Sequence, residues 1–498
     1  MRKALAAFAF ISALAATAQE AVIDVHAPAY AGKAILLYRY QDLFTLRTER
    51  LATAPIGEDG HARLSAPVEG TAKLRLRVGE AFADLYARPG ARYSVAFHPP
   101  EKGMATSLGG STRAALVFTA LDALDANALT ADLNGRIDAF IAEDLATDQA
   151  AGMQALEVQR KQGAVPDSAK RPPTLFVMPT WSKVRVDTFE QKVRRFYRDV
   201  DDPWFAHYLT YSFAGLRYGP RVNEAELFAQ YLKGQPVRYD DPEYVRFIRS
   251  FFAEQLVAAE RFHGPALARA FELGQPDSLG AILAANDFLR DDARLRELVM
   301  IDLLHQQYHG RIVKRAGAEA ILRRVSEASP FPEHRLIAAN MLWDLTSMRV
   351  GQRLPPMRLE DMQGRDLALD SLLAGPVCIV FTASWCSYCD LEMQGLEQLH
   401  SEYKGIVPII AIGLDQDPEP LRRYIKAHPG MGFRWLRAQA EQQVRDDLRL
   451  KSLPAVFLLN DGVLARSPAP LPSRGLGAVF HQVKAEAERS GRIKVWDE

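Results

Sequence analysis

The sequence predicts a multidomain α+β protein with an N-terminal antiparallel β sandwich or barrel, a central all-helical domain, and a C-terminal α/β domain on a mixed central sheet. Three observations predict it. Apolar residues alternate at period two over residues 20–100, they recur at helical spacing over 105–349, and from 350 to 491 apolar strand candidates alternate with amphipathic helices. At 498 residues the chain is also too long for one hydrophobic core.

The first 18 residues read as an address. Arg2-Lys3 is a charged start, Ala4 to Ala16 is apolar, and Ala16-Thr17-Ala18 is a small-residue cleavage site ahead of Gln19. A signal peptide cleaved after Ala18 implies an exported, periplasmic protein. No later stretch is apolar for long enough to cross a bilayer, so no membrane span is expected in the mature chain. Lys plus Arg equals Asp plus Glu at 61 each, with no long basic run, which argues against nucleic acid as a partner.

In the β-rich domain, residues 20–100, Lys73 to Val78 alternate strictly and Tyr93, Val95 and Phe97 repeat at period two. Asp59-Gly60 reads as a hairpin turn and Arg88-Pro89-Gly90 as another. In the helical domain, 105–349, Tyr244, Phe247, Ile248, Phe251 and Phe252 form one buried stripe behind an Asp241-Pro242 start. A second helix is expected from about Glu333 to Met348. The polar, proline-rich stretch Lys161 to Pro173 suggests a loop excursion. The frequent aromatics between Trp181 and Phe213 read as helix packing, or as a groove for a peptide partner.

In the last region, strand candidates are 377–381, 406–412, 455–459 and Gly462 to Arg466, with Asp461-Gly462 closing a hairpin. The final helix places Leu476, Val479, Phe480 and Val483 on one face and stops at Gly491.

Trp385-Cys386-Ser387-Tyr388-Cys389 falls where the first of these strands meets a helix. Two cysteines three apart in a first helical turn bring their sulfurs within bonding distance. Unpaired N–H groups and the positive end of the helix dipole favour a thiolate there. Such a pair suits dithiol–disulfide exchange. Half of a zinc site and a structural disulfide are the alternatives. Zinc takes four ligands, and the third cysteine, Cys378, lies among apolar neighbours in the preceding strand as an inert core thiol. His400, His428, Asp415 and Asp417 lack metal-ligand spacing and read as loop or helix-end residues. No metal and no cofactor other than the redox-active disulfide is expected.

These elements, with Trp-Cys-x-x-Cys at the strand–helix junction, resemble the thioredoxin fold, and more narrowly the exported TlpA/ResA-like thiol–disulfide oxidoreductases. Besides the motif itself, Glu392 stands three residues after the second cysteine, where that family has a glutamate. The segment from Val350-Gly351 to Gly364 is similar to the family's entry, and Ser452 to Leu459 to its cis-proline strand. The resemblance covers about 350–490. It implies that Cys386 is the attacking thiolate, Cys389 the resolving thiol and Cys386–Cys389 the redox-active disulfide, with Trp385 shielding the pair. It further implies a cis Leu453-Pro454 bond presenting the Leu453 backbone to substrate, and Glu392 modulating proton loss from Cys389. The chain departs from thioredoxin at Val380, where thioredoxin has a buried aspartate, at Gln394, where a helix proline is common, and at Ser387-Tyr388 in place of Gly-Pro.

The function expected is a periplasmic thiol–disulfide oxidoreductase, of reductase direction, taking electrons from a membrane donor and acting on exported protein thiols and disulfides. Two other readings compete. One is a partner-binding protein with a tethered redox module. The other is a thiol peroxidase, which requires Thr three residues before the reactive cysteine. Position 383 is Ala, with Thr382 one place off.

Overall fold

The computed structural model describes residues 19–79, 81–100, 112–161, 183–219, 222–403, 405–450 and 452–493. The signal-peptide expectation for 1–18, the loop expected over 161–173 and Trp181 lie outside these described residues, apart from Lys161 itself, the last residue of the helix Ala126–Lys161. Contacts gather the chain into two compact units. One is built from Ala114–Leu345 with the strands up to Val78 and those in Phe82–Pro99. The other is built from Thr346 onward.

In the first unit, one sheet runs in the order His61–Val68, Gln19–His26, Arg92–His98, Ala115–Ala120, and a second sheet includes Thr48–Pro55, Ala34–Tyr40, Ala72–Val78 and Ala81–Ala87 in that order. Alternate residues such as Ile23, Val25, Leu74, Leu76, Tyr93, Val95 and Phe97 are buried, which is the period-two pattern at work. The expected all-antiparallel arrangement is corrected at one place. Gln19–His26 pairs antiparallel with His61–Val68 but parallel with Arg92–His98. A parallel neighbour must come from a strand reached by a long connection, here the excursion through the second sheet. The Asp59-Gly60 and Arg88-Pro89-Gly90 turns both exist, with Gly60 and Gly90 at positive φ. Each joins strands of different sheets and so is not a hairpin. A turn signal encodes reversal of direction, and pairing is decided elsewhere.

Helices do not begin at 105. Ala115–Ala120 is a strand hydrogen-bonded to Arg92–His98, and the first helix starts at Ala126. Asp202 and Asp241 cap the helices Pro203–Arg217 and Pro242–Phe251 through their carboxylates, and Tyr244, Phe247, Ile248 and Phe251 are buried. The helix expected over Glu333–Met348 is Pro332–Thr346. Tyr197, Phe205, Tyr208, Tyr211 and Phe213 pack inside, whereas Phe196 is exposed. The β-rich and helical stretches share one core, in which Tyr40, Leu43 and Phe44 join Tyr211, Phe247 and Ile337. A buried polar link adds to it: Asn340 donates to Asp42 at 2.7 Å, and Arg47 donates to Asn340 at 3.0 Å. The composition change near residue 105 therefore marks a change of secondary structure inside one unit.

The second unit holds a seven-stranded mixed sheet in the order Asp366–Leu367, Leu359–Glu360, Arg434–Ala438, Ile409–Gly413, Pro376–Thr382, Ala455–Asn460, Val463–Arg466. Pro376–Thr382 is parallel to Ile409–Gly413 and antiparallel to Ala455–Asn460. Asp461 and Gly462 both adopt positive φ, as a two-residue hairpin turn requires. The strand Arg434–Ala438 had no sequence signal, because its two arginines interrupt the apolar run. Its Trp435 and Leu436 are nonetheless buried. Among the described residues, no helix is long and apolar enough to cross a membrane.

Candidate active site

The strand Pro376–Thr382 is buried along nearly its whole length, and it delivers the chain to a short turn and then to the helix Ser387–Tyr403. Cys386 sits just ahead of that helix and Cys389 in its first turn. Their sulfurs are joined in a disulfide, with Cα atoms 5.3 Å apart. The Cys389 N–H donates to the Cys386 carbonyl at 2.9 Å, and the Cys386 N–H to Ala383 at 3.1 Å, so the backbone itself sets the geometry of the motif. The two sulfurs are not equivalent. Cys389 is 1 % exposed, and Cys386 is only partly buried. An incoming group therefore reaches Cys386.

The Leu453–Pro454 peptide is cis, and the Leu453 carbonyl oxygen lies 3.9 Å from Cys386 Sγ. Both residues are buried, so the main chain faces the disulfide there. Behind Pro454 a cavity of about 760 Å³ is bounded by Met348, Leu450, Phe457, Pro468 and Leu471, with Arg449 and Arg474 also lining it. Trp385 is 55 % exposed beside the pair, which makes it a surface residue of the site. Tyr388 and Leu391 are similarly exposed on the start of the helix.

Glu392 is buried, and the hydrogen bonds it accepts come from Ser473, at 3.1 Å from the N–H and 2.5 Å from the hydroxyl. The carboxylate thus ties the redox helix to the turn Pro472–Arg474. Gly395, one turn further on, serves the same contact: a Cβ there would fall 2.6 Å from Pro472 Cβ. Gln394 and Val380 stand where thioredoxin has proline and aspartate, and Val380 is fully buried.

Cys378 is fully buried, and burial pushes its thiol far above the ordinary value, which leaves it unreactive. Asp417 caps the helix Pro418–Ala427, and His428 closes it through Nδ1 at 2.9 Å from the Tyr424 carbonyl. Among the described residues, no group of three or more His, Cys, Asp or Glu could hold a metal ion. Thr382 is buried in the strand and Ala383 follows it.

One element of the site had been read only as a loop acid. Asp415 is 2 % exposed and lies against the turn that leads into the cysteines. It accepts the Ser384 hydroxyl at 2.6 Å and the Ser384 N–H at 3.1–3.2 Å. Burial raises its pKa, while Ser384 and Arg437 act in the opposite direction. The only signal in the sequence was its place just after an apolar strand.

Residues 350–467 match the model of the AhpC/TSA family. Curated relatives include the thiol-disulfide oxidoreductase ResA of Halalkalibacterium halodurans, 27 % identical over 124 residues, which is 25 % of this chain and 69 % of that protein. Bacillus cereus ResA is 28 % identical over 86 residues, 17 % of this chain and 50 % of the relative. The C-terminal region is a TlpA/ResA-like module of the thioredoxin superfamily. Solved structures similar to this ResA-like module include a putative thiol-disulfide oxidoreductase from Bacteroides vulgatus (21 % identity, 28 % of this chain and 99 % of that one, TM-score 0.26). Another is a putative thiol:disulfide interchange protein DsbE from Chlorobium tepidum (22 %, 28 % and 98 %, TM-score 0.25). The curated relatives are named thiol-disulfide oxidoreductases, and the likeness to them lies in the region that carries Cys386 and Cys389.

Proposed function

We propose that this chain is an exported, periplasmic thiol–disulfide oxidoreductase that works as a reductant of exported proteins and is itself recharged by a dithiol donor at the membrane. The observation that carries the chemistry is the asymmetric disulfide. One sulfur is accessible beside the cis-proline main chain, and the other is buried one helical turn away. In the reduced form the Cys386 thiolate attacks one sulfur of a client disulfide, and the other client sulfur leaves as a thiolate. Cys389 then loses its proton and attacks Cys386 Sγ, which releases the second client thiol and restores the enzyme disulfide. Two electrons pass from the enzyme dithiol to the client. A donor dithiol reverses the change on the enzyme. The helix N-terminus stabilises Cys386 as thiolate, and the Leu453 main chain offers hydrogen-bonding groups to an extended client segment.

Cys389→Ser in the full chain tests this. Mixed disulfides should accumulate on Cys386 under mildly oxidising conditions and vanish in Cys386→Ser. A complete lack of adducts refutes the exchange function. The direction is tested by equilibrating the Cys386–Cys389 couple with glutathione. A potential well below the glutathione poise supports a reductant, and one at or above it supports an oxidase or isomerase.

A further inference from the structure

The turn Ala383–Trp385 that carries Cys386 into position is held from below by a buried carboxylate supplied by a different strand. Asp415 follows Ile409–Gly413, the parallel neighbour of the cysteine-bearing strand, and the Leu414 N–H still pairs with the Thr382 carbonyl at 2.8 Å. This strand-end pairing brings Asp415 under Ser384, two residues before Cys386, where it takes both the hydroxyl and the N–H. Asp415 is itself fastened. The guanidinium of Arg437, on the next strand, donates to the carbonyls of Asp415 and Gln416 at 3.1 and 3.0 Å, while its Nε donates to Glu360 at 2.7 Å. The chain Glu360–Arg437–Asp415–Ser384 thus runs across the sheet and ends at the redox turn. Glu360, Arg437 and Asp415 are buried or nearly so, which makes the assembly a fixed support and not a surface ion pair.

We propose that Asp415 is the positioning residue of the redox centre, acting through Ser384 to hold Trp385 and Cys386 at the start of the helix. The role deepens the exchange function and rests on it. Without the carboxylate, Ser384 leaves a buried acceptor unmet and the turn can relax, moving Cys386 away from the helix N-terminus that favours its thiolate.

The test uses the full chain, reduced, and reads alkylation of Cys386 by iodoacetamide across pH, together with turnover of a small aromatic disulfide. Protection of Cys378 from thiol reagents in the oxidised protein serves as the check on folding. Asp415→Ala should slow disulfide turnover at least tenfold and shift the midpoint of the alkylation profile upward. Ser384→Ala should move both in the same direction. The double variant should be no worse than Asp415→Ala alone, because both remove one contact, and Asp415→Asn, which keeps an acceptor for Ser384, should recover much of the rate. An unchanged midpoint and rate in Asp415→Ala overturns the proposal. So does a double variant whose defect is the product of the two single ones. Alkylation needs no client, so a wild-type chain that alkylates normally yet reduces no disulfide would sink the exchange function while leaving the positioning role readable.

Discussion

Replacing Glu392 by alanine separates two roles that one glutamate beside a cysteine pair can have. In this structure its carboxylate is buried and both Ser473 donors point at it. Hydrogen bonds to a charged group contribute about 1.5–3 kcal/mol each, and because Ser473 is exposed and can be rehydrated, the net loss from removing both is about 3 kcal/mol. That corresponds to roughly a 100-fold change in an opening equilibrium. Glu392→Gln keeps a carbonyl for the N–H and an amide N–H for the hydroxyl, so its loss should be about 1 kcal/mol, roughly fivefold. The chain carries its own reporter. Of its three cysteines, two are joined and Cys378 is fully buried, so in the oxidised protein a thiol reagent reacts with Cys378 only when the C-terminal module opens. Where closing outruns labelling, the rate follows the opening equilibrium. Glu392→Ala should label roughly 100-fold faster than wild type. A rate within threefold of wild type refutes the tethering role. If Glu392→Gln then changes the pH dependence of the resolving step by Cys389, the carboxylate handles a proton instead.

The same labelling assay applies to Gly395→Ala, whose methyl group meets Pro472 at 2.6 Å. Overpacking should cost about 1–3 kcal/mol, and unchanged labelling would show that the turn yields freely. In the first unit, burial raises Asp241 to about 7 from an ordinary 3.8, and its Oδ2 is buried without a hydrogen-bond partner. Between those pH values the folded chain keeps a proton that the unfolded chain has released. Stability is therefore greatest below the unfolded value and falls by a few kcal/mol, at about 1.4 kcal/mol per pH unit, as pH rises towards 7. Urea unfolding of the first unit at pH 4.5 and 7.5 should show this decline in wild type and not in Asp241→Asn, which retains a capping oxygen; parallel declines in the two proteins would contradict it.

What could be read directly from the chain was local. The cysteine pair, its place at a strand–helix junction, the Asp461-Gly462 turn and the Asp241-capped helix each rest on residues within a few positions of one another. Period-two and helical spacing likewise located most strands and helices. The strand Arg434–Ala438 escaped because its charged residues hide a buried face that appears only once Arg437 reaches Glu360 and the carbonyls of Asp415 and Gln416. The parallel pairing in the first unit escaped because a turn residue encodes a change of direction and carries no information about which strand becomes the neighbour.

By itself, then, the amino-acid order determined which atoms can exchange electrons: two thiols one helical turn apart, with a third cysteine among apolar neighbours. Tertiary structure decided everything that depends on distant partners. Ser384 meets Asp415 across 31 positions, Glu392 meets Ser473 across 81, and Asn340 meets Asp42 across 298. The physical reason is that a buried polar group must find a partner wherever the packed chain brings one. Spacing along the sequence determines only contacts within a turn or two, so the support beneath the redox turn and the union of strands and helices in the first unit emerge only when the chain is folded.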